Sequence, residues 1–122
     1  MSIVLYGIAN CDTVKRARAW LAAQGAPVEF VDFKKAGLSA AQLDAWLDRV
    51  AWERLLNRQG TTWRKFSDAQ RAAVVDAASA KTVMLANPSV VKRPVIETGK
   101  ALLIGFDPDR YQAALGKRTS RS

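Results

Sequence analysis

The sequence contains no histidine and a single cysteine among its 122 residues. The missing histidine rules out a Cys/His catalytic dyad and a Cys/His zinc site, and one cysteine cannot form an internal disulfide. The longest apolar runs are far too short to cross a bilayer, and Met1-Ser2-Ile3-Val4-Leu5-Tyr6 lacks both a basic region and a cleavable signal pattern. A cytoplasmic, reducing location without membrane association is therefore expected. There is no internal repeat or low-complexity segment. Basic residues are not interleaved with aromatic ones as in a nucleic-acid module, so nucleic acid is not the expected partner.

The remaining composition is ordinary for a globular protein, at 49% hydrophobic and 25% charged. This length suits one domain, here 1–122, which would bury roughly two thirds of the surface of its unfolded chain. Nothing requires an obligate dimer, and a monomer is expected. Nineteen Lys and Arg against eleven Asp and Glu leave a net charge of +8, which would attract an acidic protein or a small anion. Arg58, Arg64 and Lys65 form one basic group and Lys92 and Arg93 another. Lys117, Arg118 and Arg121 fall in an expected flexible tail over 117–122.

Cys11 stands where the apolar, strand-like run Ile3 to Gly7 gives way to a helix-like run. Unpaired amide N–H groups at a helix N-terminus point toward such a sulfur, stabilise its thiolate and can hold an anion. Lys15, one turn on, acts in the same direction, as do Arg16 and Arg18; the Asp12 carboxylate opposes them. A lone intracellular cysteine is commonly a small buried apolar group. The polar flanks Asn10 and Asp12 favour an exposed sheet edge instead, so a redox or thiol-transfer site is the first hypothesis.

Hydrophobic periodicity places elements around this point. Val14, Ala17 and Leu21 recur at helical spacing, with Asn10 or Asp12 as the expected cap and Gly25 as the close. Val28 to Phe33 alternates as a second strand, completing a right-handed β-α-β unit. A helical insert is expected over about 38–86. It opens at Ser39, with Leu43, Trp46, Leu47 and Val50 on one face, and continues with a short helix over Trp52 to Asn57. Ser67 with Gln70 gives a capping box ahead of Ala73, Val74, Ala77 and Ala78. Trp46, Trp52 and Trp63 read as packing residues rather than a ligand cage. After Asn87-Pro88, two strands within Val90 to Phe106 join at Thr98-Gly99, and Asp107-Pro108 opens a last helix through Tyr111 and Leu115. The order β-α-β, helical insert, β-β-α is that of an α/β, thioredoxin-like fold with a mixed four-stranded sheet.

Four blocks carry a more specific match: Tyr6-Gly7-Ile8-Ala9-Asn10-Cys11-Asp12-Thr13-Val14-Lys15-Arg16-Ala17, Leu55-Leu56-Asn57-Arg58-Gln59-Gly60-Thr61-Thr62-Trp63-Arg64, Lys92-Arg93-Pro94-Val95, and Ile104-Gly105-Phe106. In this order, they make the chain resemble the arsenate reductase (ArsC) family, in particular its Spx/YffB-like branch. The resemblance implies that Cys11 is the nucleophile and that Asn10, Asp12, Thr13 and Lys15 belong to an anion-holding loop. It also implies that Arg93 binds the anion and that Pro94 follows a cis bond. Arsenate reductases carry further arginines where this chain has Asn57 followed by Arg58, and Gly105-Phe106. Each lost charge-assisted contact weakens oxyanion recognition by about 1.5–3 kcal/mol, so inefficient arsenate reduction is expected.

Val14 occupies the second position of a Cys-x-x-Cys pair, which excludes a self-contained dithiol switch. An external thiol must then resolve the oxidised intermediate. The resulting expectation is a glutathione-dependent monothiol oxidoreductase acting through a mixed disulfide, with glutathione as co-substrate and no bound metal or organic cofactor. Lys15, Arg93 and Arg58 would hold carboxylates or an oxyanion. The other reading is regulatory. Spx relatives bind RNA polymerase, and the basic helical insert would dock polymerase or another acidic partner; the missing Cys-x-x-Cys weighs against it.

Overall fold

Residues alternate between buried and half-buried along β1 (Ile3–Gly7), as expected of a strand with one face against a core. The computed structural model describes residues 3–99 and 101–115. Within it β1 pairs in parallel with β2 (Val28–Asp32) and antiparallel with β3 (Val95–Glu97), which pairs antiparallel with β4 (Leu102–Ile104). The sheet order is β2-β1-β3-β4, the mixed four-stranded sheet of a thioredoxin-like fold. A parallel pair needs a crossover, and α1 (Asp12–Ala23) supplies it.

Directly paired residues share a sheet face, so the register places Phe30, Leu5, Ile96 and Leu103 in one row across all four strands. Val14, Ala17 and Leu21 of α1 join this cluster, as does Tyr111 of the last helix, α8 (Pro108–Leu115). Leu5, Val14, Leu21 and Ile96 are fully buried, at about 1.5–3 kcal/mol each for burying such side chains. Tyr111 meets Trp20 and Phe106 edge-on, with ring centroids 5.6 and 5.5 Å apart.

The described chain divides into two compact units, one of them the sheet with α1 and α8, the other Lys34–Lys92. The second unit is helical. After α2 (Phe33–Ala36), which spans the junction, come α3 (Ala40–Leu47), α4 (Trp52–Leu55), α5 (Thr61–Arg64), α6 (Asp68–Ala72) and α7 (Ala77–Ala86), then a 3-10 turn at Pro88–Val90. Ser39 caps α3, its hydroxyl accepting from the Gln42 N–H at 3.0 Å. Helix α7 packs on α3, α4 and the 3-10 turn, burying Ala80 and Met84; Leu43, Trp46, Leu55 and Trp63 complete the interior. Trp46 and Trp63 are thus core residues, and Trp52 is half-buried. No helix among the described residues is long and apolar enough to cross a membrane.

Several boundaries differ from the sequence expectations. Phe33 opens α2 rather than extending β2. The Ser67–Gln70 capping box is present, but α6 stops at Ala72, and Asp76 with Ser79 forms a second box that starts α7. Helix α6 buries nothing, so no packing carries it past the β-branched pair Val74-Val75. The short helix at Trp52 ends at Leu55, because the next residues pair elsewhere: Leu56 bridges Val91. That pairing, with the 3-10 turn, also removes Val90 and Val91 from the hairpin, and β3 begins only after Pro94, which lacks an N–H to donate. The expected tail over 117–122 lies outside the described residues.

Candidate active site

Cys11 itself is the N-cap of α1, with φ −130° and ψ 122° and no capping bond from its side chain. Its carbonyl accepts the first helical bond from the Lys15 N–H at 2.9 Å. Asn10 or Asp12 was the expected cap; instead Asn10 lies exposed in the preceding turn and Asp12 is the exposed first residue of the helix. The consequence is chemical. With the sulfur at the cap, the N–H groups of the first turn face it rather than a capping oxygen.

The half-buried thiol experiences opposing effects. Desolvation, the largest, pushes its pKa up. The Val14 N–H, a hydrogen bond and the positive charge from Arg93, and the Thr13 N–H together outweigh it, holding the thiol below its ordinary value. The cation acting on sulfur is therefore Arg93, where local spacing pointed to Lys15. Lys15 is exposed one turn along and takes part through its backbone.

Arg93 reaches the thiol from the start of β3, where its peptide bond to the buried Pro94 is cis. This corner is held from β4: the Gly105 N–H donates to the Pro94 carbonyl at 2.8 Å, and the Tyr111 hydroxyl donates to the Gly105 carbonyl. Gly105 has φ +80°, a conformation that suits glycine. Tyr111 is buried, and its phenol pKa is raised by desolvation and then by the Asp107 charge, so it stays a neutral donor. Two hydrogen bonds and the Arg93–Pro94 peptide bond thus link α8 to the arginine facing the sulfur.

Two further residues position the cysteine and carry no chemical signature in sequence. A Cβ on Gly7 would lie 2.8 Å from Val14 Cγ2 and 3.1 Å from Cγ1, so glycine permits the first turn of α1 to sit close on β1. Asp32, at the end of β2, accepts a hydrogen bond from the Ala9 N–H at 3.3 Å, two residues before the thiol. Its position opposite Gly7 in the strand register is the signal that could have found it.

Of the sequence candidates, Cys11, Thr13, Arg93 and Pro94 meet in the sheet unit, with Asn10, Asp12 and Lys15 exposed beside the thiol loop. Arg58 belongs to the helical unit, with its guanidinium over the Trp52 ring at 5.3 Å from the centroid.

A half-exposed, low-pKa cysteine at the first βα turn of a thioredoxin-like sheet, opposite an arginine followed by a cis-proline, defines a class of thiol-active domains. The chain belongs to the ArsC family, whose model matches residues 6–114. The family and fold are of the thiol-oxidoreductase kind. Similar proteins include an uncharacterized protein of Haemophilus influenzae, 42% identical over 92% of this chain and 97% of that one. A solved YffB protein is 47% identical with a TM-score of 0.88, covering 93% of this chain and 99% of its own. A solved arsenate reductase (ArsC) related protein from Brucella melitensis is 53% identical, with a TM-score of 0.75 and 94% and 95% coverage.

Proposed function

We propose that the protein is a glutathione-dependent monothiol oxidoreductase with Cys11 as its nucleophile. The observation that carries this reading is the thiol at the α1 N-cap, facing the Val14 and Thr13 amides and Arg93, which together favour the thiolate despite its partial burial. The Cys11 thiolate attacks one sulfur of a disulfide substrate, forming a protein mixed disulfide and releasing the other half as a thiolate that takes up a proton. A first glutathione thiolate displaces the bound half and leaves Cys11 joined to glutathione. A second attacks that glutathione sulfur, restoring the Cys11 thiolate and releasing glutathione disulfide. One substrate disulfide is reduced and two glutathiones are oxidised, so the electrons balance.

The helix-terminal amides and Arg93 also stabilise Cys11 as leaving group in the last step, since a low-pKa thiol leaves faster. Lys15, Asn10 and Asp12 line the exposed mouth, where the cation suits the carboxylates of glutathione. Sparse arginine contacts fit a disulfide substrate better than arsenate.

Intact mass measured after exposure to glutathione disulfide between about pH 5 and 9, with Cys11→Ser as control, tests this reading. A single adduct that forms readily near neutral pH and is removed by reduced glutathione is expected. Adduct formation only at alkaline pH would refute an activated thiol.

A further inference from the structure

The segments around Leu56 and Val91 are tied together by their main chains. The Lys92 N–H donates to the Leu55 carbonyl and the Asn57 N–H to the Val90 carbonyl, both at 2.7 Å, with Leu56 and Val91 paired between them. Leu55, Leu56, Val90 and Val91 are all buried, so this pairing is anchored from beneath. It holds Asn57, Arg58 and Lys92 around a cavity of about 210 Å³, whose remaining walls are Glu53, Leu56 and Gln59. Drug-sized ligands occupy roughly 300–1,000 Å³, so this cavity suits a smaller group.

Its wall has one apolar residue, two amides, two cations and one carboxylate. Arg58 is steadied over Trp52. Ion pairs among the described residues include Arg71–Asp68, Lys81–Asp44 and Arg110–Asp107, and none involves Glu53, Arg58 or Lys92. Charges of both signs therefore line one small polar space without neutralising each other. Two cations alone would suit any anion, whereas the carboxylate among them penalises a simple dianion and rewards a ligand that also brings a positive charge.

We infer that this cavity binds an α-amino-acid group, a carboxylate with an adjacent ammonium. The carboxylate faces Arg58 and Lys92, the ammonium faces Glu53, and Asn57 and Gln59 supply neutral hydrogen bonds. A free amino acid such as glutamate and the γ-glutamyl end of glutathione share this chemistry. This binding does not rest on the chemistry proposed for Cys11, and its test is free of it.

The full-length Cys11→Ser protein, ¹⁵N-labelled, is titrated with L-glutamate, S-methylglutathione, N-acetyl-L-glutamate and inorganic phosphate, following the amide signals of Asn57, Arg58, Gln59 and Lys92. Saturable shifts with L-glutamate are expected, with N-acetyl-L-glutamate at least about fivefold weaker, the scale of one exposed charge-assisted contact. Glu53→Gln should weaken L-glutamate about fivefold and strengthen phosphate. Arg58→Gln, weakening both zwitterions by a similar factor, serves if Glu53→Gln disturbs the spectrum throughout. S-methylglutathione binding more tightly than L-glutamate supports the site with glutathione as its source; equal or weaker binding supports it with a free amino acid. Absence of shifts with both zwitterions, N-acetyl-L-glutamate or phosphate binding as tightly as L-glutamate, or Glu53→Gln tightening every probe, would overturn it.

Discussion

Replacing Arg93 with Gln removes from the Cys11 sulfur one charge-assisted hydrogen bond and the only side-chain cation among the groups that lower its pKa. Such a bond contributes about 1.5–3 kcal/mol when shielded, and the half-exposed thiol justifies discounting this to about 1 kcal/mol. The thiol pKa rises, and below it the thiolate fraction falls about fivefold, the factor equivalent to 1 kcal/mol. The more basic sulfur is also the better nucleophile. With a Brønsted slope of about 0.4–0.5, each thiolate reacts about twofold faster, leaving a net loss of about two- to threefold at low pH. Above both pKa values the fraction no longer matters, and the variant should be about twofold faster. The two pH–rate profiles for a neutral disulfide such as dithiodipyridine should therefore cross. Arg93→Lys, which keeps the charge without the planar fork, should fall between them. Superimposable profiles, or a variant slower by one factor at every pH, would refute the role assigned to Arg93.

The same depressed thiol links stability to pH. A group whose folded pKa lies below its unfolded value contributes stability that is present above the unfolded pKa, about 8.5, and lost as pH falls through the folded one. Urea unfolding of wild type against Cys11→Ser should thus show the wild-type advantage growing as pH rises toward about 9; a flat difference would contradict a lowered pKa. Gly7→Ala forces a methyl to 2.8 Å from Val14 and should cost about 1–3 kcal/mol by overpacking, lowering the thermal midpoint and slowing thiol alkylation together. Trp46→Ala opens a cavity at a fully buried helical position and should cost about 3–5 kcal/mol in denaturant titrations.

Legibility of the fold followed how local each signal was. Strand β1, the parallel β-α-β unit and the Ser39 and Ser67 caps depend on spacing within a few residues, and they stand where the pattern placed them. Where partners distant in sequence decide, the pattern misled. Val90 and Val91 read as strand, and Val91 indeed pairs, but with Leu56 rather than in the hairpin. The Ala-rich stretch after Ser67 read as one helix because propensity does not register that α6 has nothing to pack on. Cys11 was evident as the candidate nucleophile from its strand-to-helix position. That it occupies the cap itself depends on backbone angles, and that Arg93 rather than Lys15 faces the sulfur depends on the β1–β3 pairing. Gly7 and Asp32 carry no chemical motif, and their roles emerge only from contacts between α1, β1 and β2.

The pairing of β1 with β3 joins the first strand to one near the far end of the sequence; Tyr6 and Glu97, whose side chains hydrogen-bond at 3.0 Å, are 91 positions apart. A chain still emerging from the ribosome therefore exposes Cys11 long before Arg93 is synthesised. The βαβ segment can already offer its helix-terminal amides, but the guanidinium is added only once Arg93 has been made and β3 can pair with β1. Full activation of the thiol is in this sense a late product of folding. Chains that stop short of Arg93 carry a more ordinary cysteine, and the most readily ionised form of Cys11 belongs to the folded molecule with β3 in place.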